Sequence, residues 1–341
     1  TYRDWGQSMI KKNWDSIFQK RNEIYSWLKK NIHTFDYPLA YYGDEPNTYH
    51  FDWEGHRDEL DNIFKVLLVS PSSYYNTVGN LAIPLFYQEL HEYDKSWVVE
   101  RAFFNNDLSE YTKFVEDGIP PFSVESKMPF QAYDAICFSQ SINGDELNII
   151  DMILRSGLKA KWQDREEADP VIIRGGFASY NPACIKDVCD LYSMGEGEEG
   201  LPLVLGSIEE TLNMGLTKQA ILLDLVNRRD CLFAPRFYKE EFDDNQNLLG
   251  MFRLNREAPS TIHRDYIDNI DNAFACTKPF IGYYRCKSFS NSVLISNGCH
   301  GKCSFCFAGF TNLPYRARSA ERCMQVLREK RKYGGSSSVS L

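Results

Sequence analysis

The chain has 341 residues, 25% of them charged and 43% drawn from the AVILMFWYC set, an ordinary globular composition long enough for two domains. No apolar run is long enough to span a bilayer and the opening residues are no signal peptide, so a soluble, cytoplasmic protein is expected. A formal charge of −9 argues against a broad nucleic-acid surface, which needs clustered Lys and Arg.

Residues 1–33 have helical periodicity, with Ile10, Trp14, Ile17, Phe18, Ile24, Trp27 and Leu28 at three- and four-residue steps. Residues 34–62 are rich in turn formers and aromatics, which predicts an irregular arm. Its Tyr41, Tyr42, Tyr49, Phe51 and Trp53 are either a ligand platform or a plug onto the neighbouring layer. From residue 65 strands and helices alternate. "KVLLVS" (65–70) is a continuous apolar run, as in a parallel strand buried on both faces. A helix is expected over 78–91, then a strand at 97–104 and a helix over 107–118, capped by Asp107 and stopped by Gly118. Strands at 134–140 and 170–176 and a fifth strand with its loop at 191–199 follow, with helices at 144–157, 181–188 and 198–214 between and after them.

This alternation predicts a doubly wound, Rossmann-like (flavodoxin-like) α/β domain over 65–215, preceded by an N-terminal helix and irregular arm over 1–64. Residues 216–290 are expected to be a connector. In open α/β sheets ligands sit at the carboxyl edge of the strands. The loops expected there carry Ser70, Ser72, Ser139, Gly175, Gly176, Gly195, Glu196 and Gly197, which are candidate cofactor-binding residues. No GxxxxGK[ST] and no G-x-G-x-x-G after the first strand is present, which counts against a P-loop and an NAD site.

"SFSNSVLISNGC" delivers a strand into "NGCHGKCSFCFAG", where Cys299, Cys303 and Cys306 fall within eight positions. Ten cysteines in 341 residues make this spacing a chance event on the order of 0.01, so it needs a chemical reason. Structural zinc would need a fourth ligand, for which His300 and Cys323 are the nearby candidates. A dithiol redox pair would use only Cys303 and Cys306. An iron–sulfur cluster held by three thiolates uses all three and leaves one iron open to a small molecule.

Cys299-x3-Cys303-x2-Cys306, with aromatic Phe305 before the last cysteine, resembles the signature of radical S-adenosylmethionine (SAM) proteins. "PVIIRGGFASYNPACIKDVCDLYSMGEGEEG", "VSPSSYYNTVGNLAIPLFYQEL" and "GIPPFSVESKMPFQAYDAICFSQS" are similar to stretches of the members that carry an N-terminal cobalamin (B12)-binding-type domain. The resemblance implies a 4Fe–4S cluster on the three cysteines, SAM on its open iron, Phe305 beside the adenine, and a reductant such as flavodoxin or ferredoxin. It implies cobalamin-dependent methylation where cobalamin is bound. Here the D-x-H-x-x-G motif is absent: "SPSSYY" follows the first strand, and no histidine lies between His56 and His91. Residues 291–341 are expected to be the start of a radical SAM βα barrel: strand 293–297, the cysteine loop, a helix over 319–333 and a nascent strand 337–341. The barrel is expected to continue beyond Leu341, with the substrate residues. The rival reading is a non-catalytic binding or assembly protein whose cysteines form a structural metal clip.

Overall fold

The computed structural model describes residues 12–78, 80–283, 292–301 and 303–334. The start of the expected N-terminal helix, Cys286 and the expected strand 337–341 lie outside the described residues.

Six strands form one sheet: β1 (Lys65–Ser70), β2 (Val98–Phe103), β3 (Ala135–Ser139), β4 (Val171–Gly175), β5 (Leu191–Ser193) and β6 (Leu232–Phe233). Their order is 2-1-3-4-5-6; β1 to β5 are parallel and β6 is antiparallel to β5. All six residues of β1 are buried because both sheet faces are covered, the condition under which a parallel strand is a continuous apolar run. Val66, Leu68, Val99, Ala135 and Ile173 face one core; Leu67, Val69, Val98, Ile136 and Ile172 face the other. Fully burying each of these Val, Leu and Ile side chains is worth about 1.5–3 kcal/mol.

The helices are α1 (Trp14–Asn31), α2 (Tyr74–Val78), α3 (Ala82–Tyr93), α4 (Leu108–Glu116), α5 (Glu146–Arg155), α6 (Gly200–Asn213) and α7 (Lys218–Arg228). The α3, α6 and α7 helices pack on the first face, while α1 and α5 pack on the second. Asp107 caps α4, its carboxylate accepting from the Ser109 and Glu110 amides, and Gly118 ends that helix with φ 67°. The helix expected at 181–188 is only a 3-10 turn at Ala183–Ile185. Residues 216–234, read from the sequence as the start of a connector, instead supply α7 to the core and β6 to the sheet. A short strand such as "LF" carries too little periodicity to be seen without its partner.

The aromatic arm covers β2, the edge strand, through a buried ionic network. Arg101 on β2 donates to Glu45 of the arm (2.8 Å) and to Glu125 (2.5 Å), all three side chains being almost wholly buried. Trp53 Nε1 donates to Glu100 (2.8 Å). Trp53 is thus spent on packing, and Tyr49 stacks on His91 at 4.0 Å.

Beyond the sheet, β7 (Tyr238–Phe242) and β8 (Leu248–Arg253) form a hairpin around Asp243. The C-terminal segment comprises β9 (Ser296–Asn297), α8 (Phe307–Thr311), β10 (Arg316–Ala317) and α9 (Ala320–Lys332). β10 pairs antiparallel with β9, closing the base of the cysteine loop. No helix among the described residues is long and apolar enough to cross a membrane.

Candidate functional site

The cysteine loop leaves β9 at Gly298, where φ is 88° and a Cβ would lie 2.7 Å from the Asn312 and Pro314 carbonyls, so only glycine fits the turn. Cys299, Cys303 and Cys306 are free thiols, the first two exposed and the third half-buried. They are gathered around two glycines. A Cβ on Gly301 would sit 3.4 Å from Cys299 Sγ and 3.7 Å from Cys303 Sγ, and one on Gly309 would sit 3.7 Å from Cys306 Sγ and 3.3 Å from the Gly301 carbonyl. The Gly301 amide points at Cys299 Sγ (3.3 Å), and the Cys306 amide donates to the Cys303 carbonyl (2.9 Å). Among the described residues no three His, Cys, Asp or Glu side chains are grouped around a single ion. Three free thiols spaced round a glycine floor are a donor set that suits a multi-iron cluster, which takes one thiolate per ligated iron. Phe305 is 89% exposed beside them.

One carboxylate holds this loop to the sheet. Glu196, in the loop after β5, accepts from Arg264 Nη2 (2.7 Å), Asn297 Nδ2 (2.7 Å), Arg316 Nη1 (2.7 Å) and Nη2 (2.5 Å), and the Ile267 amide (3.0 Å). Asn297 and Arg316 are paired across the base of the cysteine loop, so Glu196 grips both of its stems. Arg264 adds bonds to Tyr180 Oη (2.9 Å), after β4, and to the Leu313 carbonyl (2.6 Å) within the loop. Phe307 of α8 packs edge-on against Phe177 at 5.0 Å. Burial pushes the Glu196 carboxyl up, but hydrogen bonds from Arg316 and Ile267 and the charges of Arg316 and Arg264 outweigh it, and its pKa lies below the ordinary value.

Beside this clamp a cleft of ≈ 280 Å³ opens at the carboxyl edge of the sheet, lined by the loops after β3, β4 and β5 and by the C-terminal segment. Of the candidates read from the sequence, Ser139, Gly175, Gly176, Gly195, Glu196 and Gly197 line it. Ser70 and Ser72 do not: both are buried and their carbonyls accept from the Phe104 amide (3.1 Å each), while Ser72 Oγ accepts from Asn76. The loop after β1 turns toward β2 and away from the cleft. The glycines also serve a purpose other than the expected one. A Cβ would lie 2.5 Å from the Gln140 carbonyl at Gly176, 2.2 Å from the Asp265 carbonyl at Gly195 and 2.4 Å from the Phe86 ring at Gly197. Protein atoms occupy those approaches, and of these four glycines only Gly175 has open space before it. Glu196 is likewise engaged in the clamp and is a scaffold group at the cleft wall.

The cleft is apolar along Leu68, Leu85, Phe86 and Ile173, with Glu198, Arg318 and Lys330 as polar lining. Among the described residues no histidine lines it. Burial pushes the Glu198 carboxyl up and the Arg318 and Lys330 cations down. Behind the loop after β5, Glu89 of α3 accepts from the Glu199 amide (3.1 Å), while its Oε2 has no partner among the described residues. Burial, opposed by that hydrogen bond and reinforced by the Glu198 and Glu199 charges, pushes Glu89 up to about 7. The folded chain therefore binds more protons than the unfolded one between the ordinary glutamate pKa and about 7, and this residue makes stability fall as pH rises through that window. Glu89→Gln, which keeps an acceptor for Glu199, is expected to stabilise the chain by about 3 kcal/mol at pH 8 and hardly at all below pH ~4.5, as read by urea unfolding.

The sequence reading missed Glu196 as a clamp, together with Arg264, Asn297 and Arg316. Its only sequence signal was an acid in a glycine-rich loop.

Residues 82–248 match the family described as "Radical SAM proteins, N-terminal". This stretch, most of the sheet and its helices, is what matches that family's N-terminal region. No curated protein matches the chain. Two solved structures are similar to it at 16% identity over 92% of its length. Both are of the cobalamin-dependent S-adenosylmethionine radical enzyme OxsB, one with aqua-cobalamin and S-adenosylmethionine bound (TM-score 0.37) and one with aqua-cobalamin bound (TM-score 0.38). The chain spans 37% of the length of each of those chains.

Proposed function

We propose that this chain is the N-terminal part of a radical SAM enzyme in which Cys299, Cys303 and Cys306, as thiolates, hold a 4Fe–4S cluster. The observation that carries the reading is the placement of three free thiols on one glycine-floored loop, gripped at both stems by Glu196. The family match supports it from outside the loop, since residues 82–248 end well before Cys299. When bound, such a cluster supplies one electron to SAM, whose cleavage gives methionine and a 5′-deoxyadenosyl radical; the electron comes from a protein reductant of the flavodoxin or ferredoxin kind.

The chain's own residues position this chemistry. Glu196, Arg264 and Arg316 fix the loop to the carboxyl edge of a flavodoxin-like sheet, and Phe307 seats α8 on the loop after β4. Exposed Phe305 presents an apolar ring next to Cys306, a surface suited to stacking on an adenine. The segment from β9 to α9 opens the barrel that completes the SAM site. The apolar cleft suits a flat ring system, but with no histidine on its wall it offers cobalt no imidazole. No step is therefore assigned to a corrin.

Anaerobic reconstitution with iron and sulfide tests the reading. A brown protein with about four irons per chain is expected, whose reduced electron paramagnetic resonance spectrum changes on adding SAM. A colourless protein with stoichiometric zinc would overturn the cluster; a cluster spectrum indifferent to SAM in the full-length protein would overturn the SAM site.

A further inference from the structure

A second pocket, also ≈ 280 Å³, lies between the aromatic arm, the loop after β2 and α4, and shares no lining residue with the cleft described above. Its wall is aromatic. Tyr41, Phe114 and Phe122 pack against one another with centroids 5.6 to 6.4 Å apart, and Phe104 closes a further side. Set among these rings is Glu110, only 2% exposed. Its carboxylate accepts from the Tyr37 amide (3.2 Å), Tyr41 Oη (2.6 Å) and Asn105 Nδ2 (3.1 Å), all of them neutral donors. Burial and the Glu110 charge push the Tyr41 phenol well up, so Tyr41 stays a neutral donor.

A buried carboxylate ordinarily has a cation beside it, because hydrogen bonds replace only part of its lost hydration. Among the described residues no Lys, Arg or His forms an ion pair with Glu110. Arg155, the one cation in the lining, donates to the Ile119 carbonyl (2.8 Å) and pairs with Asp151. Lys113, one turn along α4, donates to Thr34 (2.9 Å). Aromatic faces attract cations through the ring quadrupole, most strongly where water is excluded. Electron-rich rings around an uncompensated carboxylate are complementary to an ammonium group on a small apolar body.

We propose that this pocket binds an organic ammonium ligand, with Glu110 as counter-ion and Tyr41, Phe104, Phe114 and Phe122 as its walls. Calorimetric titration of the full chain at low salt and pH 7 tests it, with benzylamine as the cationic probe and benzyl alcohol as its neutral counterpart. The expected result is a single saturable benzylamine site at least tenfold tighter than any benzyl alcohol binding. Glu110→Gln should weaken benzylamine at least tenfold and leave benzyl alcohol unchanged. Equal or tighter binding of the alcohol, or no saturable benzylamine binding, would overturn the proposal. If Glu110→Gln loses its native circular dichroism, Phe104→Ala, in the half-buried wall, takes its place, and unchanged benzylamine affinity there overturns it equally.

Discussion

Replacing Cys303 by alanine is expected to remove nearly all reconstituted iron, from about four per chain to well under one, together with the visible absorbance. The thiol sits across Gly301 from Cys299, and no other described sulfur is placed to substitute for it. The same loss is expected for Cys299→Ala and Cys306→Ala. Cys323 is the informative contrast. It is buried on α9 against Val293 and Val326, and burial of this kind marks a small core side chain. Cys323→Ser should lower stability by about 1–3 kcal/mol for its buried hydroxyl yet leave the iron content unchanged. Iron lost equally from Cys323→Ser would mean that the site is a four-ligand metal clip, the structural zinc arrangement that the sequence left open.

Glu196→Leu should cost about 3–5 kcal/mol in urea unfolding, the scale for removing one partner of a buried ion pair, because Arg264 and Arg316 are left largely buried with their counter-ion gone. Glu196→Gln should fall between leucine and the native chain, keeping one acceptor and losing the charge. A second readout separates loop positioning from general stability: alkylation of Cys299 and Cys303 under native conditions should quicken in both variants while Cys137, deep in the sheet, stays protected. The pH dependence carries a sign. A carboxyl whose pKa is lowered on folding contributes stability above its unfolded pKa and loses it as pH falls through the folded value. The gap between native chain and Glu196→Gln should therefore be widest near neutral pH and narrow as the pH falls below the ordinary glutamate value. An unchanged alkylation rate in Glu196→Leu would show that the loop is held by other contacts.

The clamp gives a reason for the placement of the cysteine loop against this edge of the sheet. The loops after β4 and β5 meet it through Tyr180, Phe177 and Glu196, so the same edge that lines the cleft also supports the thiols.

The local parts of this arrangement were readable in advance. A run such as "KVLLVS" is buried on both faces because alternate residues have no polar side to turn outward, and β1 is that strand. Asp107 and Gly118 bound α4 through side-chain capping and positive φ, both properties of single residues. The cysteine spacing was equally plain, because three thiols on one loop need no distant partner. The glycines were legible as glycines but not as to purpose: Gly176, Gly195 and Gly197 make room for Gln140, Asp265 and Phe86, and a residue type does not say whether a ligand or the chain itself will fill the space.

By itself, then, the sequence determined the alternating α/β elements, the helix caps and the three-thiol loop, all set by residues within a few positions of one another. Only the tertiary structure decided what holds the loop in place. Glu196 meets Arg264, Asn297 and Arg316 across 68, 101 and 120 residues of chain. An acid's partner is chosen by which cations the fold carries to it, and composition or periodicity contains no record of that choice.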